Sequence, residues 1–336
     1  MSINDSTVGN RVFFSVVMPA YNAEAYIRQA VESVIAQTFT DWELVVVDDC
    51  SVDSTPDIVE ELALMDARIK LSRLDRNSGN AYKPRKRAIL SSEGRYVVTL
   101  DADDYLEADF LEKMHCRISE TGADTVFCHL DFGDRVLPHE SVDTSAIYAG
   151  RDLPRLTLCG WKIASNGSSV KRELYLRAFE EPRSGLTGMN ADELLSRELM
   201  IMADKVTFCD AVYHYRYVGD SVSKKVSFHK FEMLLTDVAL KRLIYDCYPA
   251  GSEERSLVEL HLFCDIAGLM TFWTMHAGEL APHYDHIYRM MTEAREAVDW
   301  KSIHDKVSRA KYWLLRAGVT PYRFVSLVNG WIKGRK

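Results

Sequence analysis

The first third of the chain alternates apolar runs with helix-like segments at short spacing. The runs "FFSVVMPAY", "WELVVVDD" and "RYVVTLDADD" are continuous and rich in β-branched residues, as is typical of parallel strands covered on both faces. Between them lie an amphipathic segment, "AEAYIRQAVESVIAQ", a capped one, "SVDSTPDIVEELALM", and "RKRAILSSEG", in which Gly94 is expected at the helix C-cap. Strands alternating with helices predict crossover units and an α/β fold with a mainly parallel sheet.

The rest of the chain predicts an irregular middle and a helical end. "DTVFCHLDFGD" and "KVTFCDAVYHYRY" are interpreted as β structure, and the segments between them as loops leading into helices. From Phe228 onward the pattern is helical. We therefore predict an N-terminal extension at 1–13, an α/β domain at 14–226 with halves at 14–110 and 111–226, and a C-terminal helical region at 227–336.

Charge and cysteine content limit the classes of partner. The chain of 336 residues has a formal net charge of −8, but Lys301–Lys336 contains nine Lys or Arg against the single acid Asp305. This tail therefore carries +8 and the other 300 residues carry −16. An acidic body offers nucleic acid little to bind. Seven cysteines without a C-x-x-C pair indicate reduced thiols rather than a disulfide or zinc framework.

Targeting and membrane signals are also weak. "MSINDSTVGNRVFF" lacks the basic and apolar pattern of a secretory signal, so we expect a cytoplasmic protein. The most apolar stretch, Leu257–Met275, is interrupted by Glu259, His261 and Asp265, so we expect no transmembrane helix.

Carboxylates collect where the predicted strands end. Asp101, Asp103 and Asp104 follow one strand within four residues, and Asp48 and Asp49 end another. Ligands of open α/β sheets bind at the carboxyl ends of the strands. Like charges this close resist joint ionisation unless a cation lies between them, and Mg²⁺ or Mn²⁺ bound to carboxylates and a diphosphate meets that need. The alternative is that these acids cap the following helix.

The order of the motifs resembles family 2 glycosyltransferases with the GT-A fold, of the bacterial polysaccharide or capsule type. P-x-Y-N, V-D-D-x-S-x-D-x-T, N-x-G and D-x-D occur in that order over about residues 14–110. The resemblance implies an inverting enzyme that moves a sugar from a nucleotide-diphosphate donor, with a UDP-sugar expected. The acceptor would be a hydroxyl of a glycan or lipid-linked saccharide in cell-surface polysaccharide biosynthesis. The first half, 14–110, would then bind the nucleotide sugar and 111–226 the acceptor.

The resemblance also assigns roles to single residues at the donor site. Pro19, Ala20 and Tyr21 would contact the nucleotide base, with Tyr21 stacking on it, and Asp49 would accept the base N–H. Asp103 would bind the metal ion, Mn²⁺ or Mg²⁺, and Asp101 the ribose or the metal. Asp104 is expected to cap a helix.

Four further residues are assigned to the nucleotide by the same resemblance. Asn77 belongs to N-x-G, and Arg216 in "YHYRYVGDSVSKK" would approach the diphosphate together with His214, for which metal ligation is a less favoured alternative. The family pattern N-x-G-x-x-x-A-R-N is altered here, since Pro84 stands where the arginine is expected. Arg85 is expected to replace it, because a guanidinium suits a diphosphate.

The catalytic base depends on the alignment register. Aligning "ADELLSREL" with the family form E-D-E-L-F-x-x-R-L makes Asp192 the base and places Ala191 at the usual Glu. A shift of one residue makes Glu193 the base, and an acidic helix N-terminus without catalytic function is the alternative.

Two alternative functions and three roles for the tail remain open. A noncatalytic nucleotide-sugar binder or scaffold would retain Asp49 and Asp103 without the base. A metal-dependent nucleotidyltransferase would need a glycine-rich phosphate loop, which "MPAYNAEAY" lacks. The basic, aromatic segment 306–336 suits a peripheral helix on an anionic membrane, or a helix packed on the catalytic domain or in a homodimer contact.

Overall fold

The computed structural model describes residues 12–158, 160, 162–180, 189–217 and 226–323. The chain divides into two compact units. The sheet unit comprises Met1–Leu153, Lys162–Pro182 and Leu199–Val218, and the helical unit comprises Pro154–Trp161, Arg183–Glu198 and Gly219–Lys336. The two short segments at 154–161 and 183–198 therefore group with the helices, although the sequence places them inside the α/β domain. Residues 1–11 of the predicted extension lie outside the described ranges.

Nine strands of the sheet unit form one mixed sheet within the described ranges. They are β1 (Phe14–Ala20), β2 (Trp42–Asp48), β3 (Ile69–Arg73), β4 (Tyr96–Thr99), β5 (Tyr105–Leu106), β6 (Thr125–Asp131), β7 (Val136–Leu137), β8 (Ser169–Lys171) and β9 (Val206–His214). The order is β3-β2-β1-β4-β8-β6-β9-β5, with β7 paired to β6. β3, β2, β1 and β4 are parallel, as are β6 and β9, whereas β8 runs antiparallel to both neighbours.

Helices connect the strands and make up most of the helical unit. They are α1 (Ile27–Ile35), α2 (Thr55–Met65), α3 (Tyr82–Ser91), α4 (Phe110–Thr121), α5 (Arg172–Glu180), α6 (Ala191–Met202), α7 (Met233–Cys247), α8 (Glu253–Met275), α9 (Tyr284–Glu296), α10 (Trp300–Ile303) and α11 (Arg309–Ala317). The alternation of strand and helix through β4 confirms the predicted α/β fold.

The parallel register aligns the ends of the first three strands. All seven residues of β1 and all seven of β2 are buried, which explains their uninterrupted apolar sequences. Ala20 pairs with Asp48, and Asp48 pairs with Arg73. The loops that follow these strands therefore start side by side at one edge of the sheet.

Two local predictions differ from the structure. β4 ends at Thr99, so the aspartates that follow lie in a turn closed by the Asp104 N–H on the Asp101 carbonyl oxygen at 3.1 Å. β8 was not predicted from the sequence. It has only three residues, one of them the buried Ser169, and is too short to show the apolar alternation that identifies a strand. Its pairing with β4 and β6 decides its conformation.

Gly94 is not the C-cap of α3. The helix ends at Ser91 and Ser92 occupies the cap position, while the buried Gly94 donates its N–H to Ser15 Oγ at 2.8 Å. A Cβ on Gly94 would lie 2.5 Å from Ser15 Oγ and 2.6 Å from the Ser15 nitrogen. The glycine is therefore required by close approach to β1.

The helical unit has its own apolar core and a buried charge. α8 is the one helix in the described ranges that is long and apolar enough to cross a membrane by length and composition, with half of the tested window buried inside the protein. Its Glu259 is completely buried and accepts hydrogen bonds from Tyr245 Oη at 2.5 Å and the Asp299 N–H at 2.8 Å. Lys241 Nζ lies 2.5 Å from the same carboxylate. We interpret α8 as the central helix of this core.

The described part of the basic tail packs inward. Tyr312, Leu315, Val319 and Tyr322 belong to the core of the helical unit, whereas Trp313 is 56% exposed. This burial favours the packed-helix alternative for residues 306–323. Residues 324–336 lie outside the described ranges, and the membrane role of the tail stays a prediction.

Replacement of Gly94 by alanine should destabilise the protein by about 1–3 kcal/mol, because the added methyl group overlaps backbone atoms of β1. Urea and thermal unfolding measure the change. The matched control is Gly268→Ala in α8, where a Cβ meets nothing within 4 Å, and alanine should stabilise that helix by up to about 1 kcal/mol. Equal stability of the two variants would contradict the close approach at Gly94.

Candidate active site

The loops after β1 and β2 are fastened to each other. The Asn22 N–H donates to Ser51 Oγ at 2.9 Å, and the Ala23 N–H donates to Thr55 Oγ1 at 2.7 Å. Asp53 Oδ2 accepts from the Glu24 N–H at 3.1 Å. The Ser, Asp and Thr of V-D-D-x-S-x-D-x-T therefore hold the backbone of the neighbouring loop, a role that the motif alone did not reveal.

Asp48 anchors the base of these loops. Its carboxylate is fully buried and accepts from the Ser51 N–H at 3.1 Å and from the Ser51 hydroxyl. Arg73 Nε lies 3.0 Å from Asp48 Oδ2, and its guanidinium also binds the Ser51 carbonyl oxygen. Sequence reasoning missed Arg73, although it is the last residue of β3 and its register partner is Asp48.

Asp49 is held in a buried position beside the exposed Tyr21. The Asp49 N–H binds the Ala20 carbonyl oxygen at 2.7 Å, and its carboxylate accepts from the Ser78 N–H and hydroxyl at 2.9 Å each. Burial raises the pKa of Asp49, and the Ser78 hydrogen bonds oppose that rise. Tyr21, directly after the buried Pro19 and Ala20, is 48% exposed. An exposed aromatic residue thus follows β1, and a buried hydrogen-bond acceptor follows β2, at the same edge of the sheet.

Asn77 and Arg85 contact the acidic residues of the site. Asn77 Nδ2 donates to the Asp49 carbonyl oxygen at 3.1 Å, so it supports the loop that carries Asp49. Arg85, which is 9% exposed, pairs with Asp101 at 2.8 Å between Nη2 and Oδ1. The predicted replacement of the family arginine by Arg85 thus places a guanidinium beside the D-x-D motif.

Asp104 does not cap a helix, contrary to the prediction. α4 begins at Phe110, with Asp109 at its N-cap position, and β5 intervenes. The carboxylate of Asp104 is 1% exposed and accepts from Tyr213 Oη at 2.6 Å and from the Arg216 N–H at 2.7 Å. Burial, together with the charge of Asp101, raises the pKa of Asp104 to about 7.

The Arg216 guanidinium lies near two aromatic rings. Its guanidinium carbon is 5.0 Å from the centre of the Tyr26 ring and 5.6 Å from that of Tyr105, and Nη2 donates to Gln29 Oε1. Burial and the Asp101 carboxylate raise the pKa of Asp103, and Arg216 opposes that rise. The Arg216 backbone is thus bonded to the D-x-D turn through Asp104, and the Arg216 charge acts on Asp103.

His214 is engaged by two carboxylates. Nε2 lies 2.8 Å from Glu107 Oε1 and Nδ1 lies 3.2 Å from Asp131 Oδ2, and the ring stacks on Tyr105 at 4.6 Å. Both ring nitrogens are occupied, so this geometry does not favour metal ligation by His214.

The D-x-D turn could supply a metal ion with carboxylate oxygens from Asp101 and Asp103. Asp101 and Asp103 supply only oxygen, the donor that Mg²⁺ and Mn²⁺ prefer. Burial and the Asp101 charge raise the pKa of Asp103, and a cation would offset the second of these causes. Over the described ranges, the turn does not bring three ligand atoms within 4.8 Å of one another. The remaining ligands would therefore be water and substrate phosphate, as is usual for Mg²⁺.

The two candidate bases lie in the helical unit and differ in environment. Asp192 is exposed in the first turn of α6. Glu193 Oε2 is 3.1 Å from Arg197 Nη1, and burial raises the pKa of Glu193 while Arg197 opposes the rise. Arg197 itself is completely buried and donates to Thr157 Oγ1 at 2.9 Å and to the Thr157 carbonyl oxygen at 3.2 Å.

Comparison with known proteins assigns the family. The sequence profile of "Glycosyl transferase family 2" matches residues 15–174, which contain the strand-end loops and the D-x-D turn. Residues 15–174 of this chain therefore belong to glycosyl transferase family 2. This confirms the resemblance noted from the motifs.

Two curated relatives illustrate the similarity. The putative teichuronic acid biosynthesis glycosyltransferase TuaG of Bacillus subtilis strain 168 is 43% identical over 115 residues, 32% of this chain and 45% of TuaG. The poly(ribitol-phosphate) beta-N-acetylglucosaminyltransferase TarS of Staphylococcus aureus strain Mu50 is 31% identical over 257 residues, 72% of this chain and 42% of TarS. The chain thus spans less than half the length of either relative.

Solved structures confirm the GT-A fold. The crystal structure of S. aureus TarS 1–349 in complex with UDP-GlcNAc matches with a TM-score of 0.73 and 21% identity, over 96% of this chain and 92% of that one. A mannosyltransferase of Pyrobaculum calidifontis, in complex with GDP-Man and Mn²⁺, matches with a TM-score of 0.53 and 17% identity, over 96% of this chain and 87% of that one.

The pKa of Asp104 predicts a pH-dependent stability. Because the folded state raises that pKa from an ordinary 3.8 to about 7, the folded protein binds the proton more tightly and loses stability as pH rises between these values. Asp104→Asn imitates the protonated form, so its melting temperature should rise relative to wild type from pH 5 to pH 8 in metal-free buffer. The exposed Asp75→Asn is the control, and parallel pH profiles for Asp104→Asn and wild type would contradict the assignment.

Proposed function

We propose that this chain is an inverting, metal-dependent glycosyltransferase that transfers N-acetylglucosamine from UDP-GlcNAc to a hydroxyl of a cell-surface polysaccharide or its lipid-linked precursor. The observation that carries the proposal is the arrangement of Asp103 and Asp101 in a turn at the sheet edge that also presents Tyr21 and Asp49. Family membership and the similarity to TarS, whose name specifies N-acetylglucosamine transfer, support it. Because the proposed donor is a nucleotide sugar, we place the reaction in the cytoplasm.

The strand-end residues suit the nucleotide. The open ring of Tyr21 would stack on the base, and Asp49 would accept a base N–H through an oxygen lone pair left after its bonds to Ser78. Pro19 and Ala20 provide the buried strand end behind the base, and Asn77 keeps the Asp49 backbone in place.

The D-x-D turn suits the diphosphate. Asp103, with Asp101 as a second ligand, would hold Mn²⁺ or Mg²⁺, which supplies positive charge to the departing diphosphate. Arg216, whose backbone N–H is bonded to Asp104 and whose charge acts on Asp103, would bind the same anion through its guanidinium. Arg85 would fix Asp101 through their 2.8 Å ion pair.

Asp192 is the proposed general base. It would take the proton of the acceptor hydroxyl as the oxygen attacks the anomeric carbon in line, which inverts that carbon without a covalent intermediate. Glu193 forms an ion pair with Arg197, and the buried Arg197 links this turn of α6 to Thr157 through a hydrogen bond. Glu193 is therefore proposed to position the helix that carries the base.

Donor binding should depend on metal and on Asp103. Calorimetric titration with UDP-GlcNAc should give binding that Mn²⁺ strengthens and that Asp103→Asn weakens at least tenfold, about 1.4 kcal/mol. The exposed Asp75→Asn is the control. If neither Mn²⁺ nor Asp103→Asn changed the affinity for UDP-GlcNAc, metal-dependent donor binding would be contradicted. Absence of UDP-GlcNAc binding would contradict this donor and direct the search to other nucleotide sugars.

Turnover should separate the two candidate bases. Asp192→Asn should lower kcat by about 10²–10⁴-fold, the usual worth of a general base, with UDP-GlcNAc affinity unchanged. Glu193→Gln should keep activity within about tenfold of wild type. The reverse order would assign Glu193 as the base, and full activity in both variants would refute base catalysis from α6.

Turnover also tests the two alternative functions. Sugar transfer by wild type would exclude a noncatalytic binder or scaffold. A nucleotidyltransferase would instead join a nucleoside triphosphate to a sugar phosphate and release pyrophosphate. A parallel assay with these two substrates detects that product.

A further inference from the structure

Three potential metal ligands that play no part in the proposed reaction converge in the helical unit. Asp237 lies on α7, and His261 and Asp265 lie four residues apart on α8, which places them on the same face of that helix. One ligand atom from each side chain lies within 4.8 Å of the other two. The group contains one imidazole nitrogen and two carboxylate oxygens.

The separations suit a coordination sphere better than hydrogen bonds. His261 Nε2 lies 3.5 Å from Asp237 Oδ1 and 3.3 Å from Asp265 Oδ2. A nitrogen–oxygen hydrogen bond is usually about 2.7–3.2 Å long. Ligand atoms about 2.1 Å from one metal ion, at tetrahedral or octahedral angles, are about 3.0–3.4 Å apart.

The cluster also contains buried polar atoms without a partner. Asp237 is only 3% exposed, and its Oδ2 has no hydrogen-bond partner. His261 Nε2, which faces both carboxylates, has none either. Buried acceptors of this kind are normally satisfied, so the unpaired Asp237 oxygen points to a missing ligand.

The balance of charges around the cluster indicates the sign and magnitude of the charge that the ligand would carry. Asp237, Asp265 and Glu193 contribute three negative charges, and the buried Arg197 contributes one positive charge that acts on Asp265. Burial lowers the pKa of His261, but the Asp237 and Asp265 carboxylates outweigh this and raise it. A metal ion that binds His261 therefore has to displace its proton, and with the imidazole neutral two negative charges remain uncompensated. A divalent cation would neutralise them.

We propose that Asp237, His261 and Asp265 bind a divalent transition-metal ion that ties α7 to α8. The mixed nitrogen and oxygen donors suit Zn²⁺, Mn²⁺ or Co²⁺ better than Mg²⁺. Asp265 and His261 keep 26% and 14% of their side-chain surface exposed, so water can reach the ion and complete its coordination. The proposal concerns the helical unit alone and is independent of sugar transfer.

The first test is a Co²⁺ titration followed by visible absorption and calorimetry. It uses the full chain carrying Asp103→Asn, which disables the proposed donor-site metal. One Co²⁺ per chain should bind with the absorption of a nitrogen- and oxygen-ligated ion, and adding Asp237→Asn should weaken binding at least tenfold and abolish the band. Asp285→Asn, an exposed acid on α9, is the matched control. No Co²⁺ binding, or equal binding with and without Asp237→Asn, would overturn the proposal.

Thermal unfolding separates a metal ligand from a residue that only supports folding. In EDTA, Asp237→Asn should be as stable as the parent or more stable, because it removes one of three crowded carboxylates. Saturating Co²⁺ should raise the melting temperature of the parent by about 3 °C or more and leave Asp237→Asn unchanged. A variant that is destabilised in EDTA, with a parent that does not respond to Co²⁺, would instead identify a protonated His261 bridging the two carboxylates.

Discussion

The buried carboxylate of Asp104 joins the D-x-D turn to the end of β9. It binds the Tyr213 hydroxyl and the Arg216 N–H, and Tyr213 Oη in turn accepts the Asp101 N–H at 3.2 Å. These bonds connect residues more than 100 positions apart in the sequence. The turn that presents Asp101 and Asp103, and the segment that presents Arg216, are therefore held by one buried group. The third aspartate of this cluster thus has a structural role.

The sheet edge was predictable because it follows from local sequence. Apolar runs identify β1 and β2, and parallel pairing brings their ends together, so Tyr21, Asp48 and Asp49 were placed correctly at one edge. The roles of Asp104 and Arg73 were not predictable, since each depends on a partner far away in the sequence. A carboxylate directly before the helix-like pattern "YLEADFLEKM" suggests a cap, and only the pairing of β5 with β9 shows that the chain does otherwise.

The middle of the chain shows a second limit of sequence reasoning. β8 is three residues long and joins β4 to β6 in the opposite direction, so neither its length nor its composition gives a pattern. The helical unit was predicted by periodicity, but its buried polar groups were not. His261 and Asp265 seemed only to interrupt an apolar stretch, whereas the fold places them beside Asp237.

The interlocking of the loops after β1 and β2 has a consequence for engineering and for evolution. Asn22 Oδ1 accepts a hydrogen bond from the Val52 N–H, and Glu24 Oε2 accepts one from the Ser54 N–H, each at 3.0 Å. In the other direction, the Ser51 and Thr55 hydroxyls accept hydrogen bonds from backbone N–H groups of the first loop. A chimera that exchanges one loop between relatives would strip acceptors from amides of the other. The two loops should therefore be exchanged together, although about thirty residues separate them in the chain.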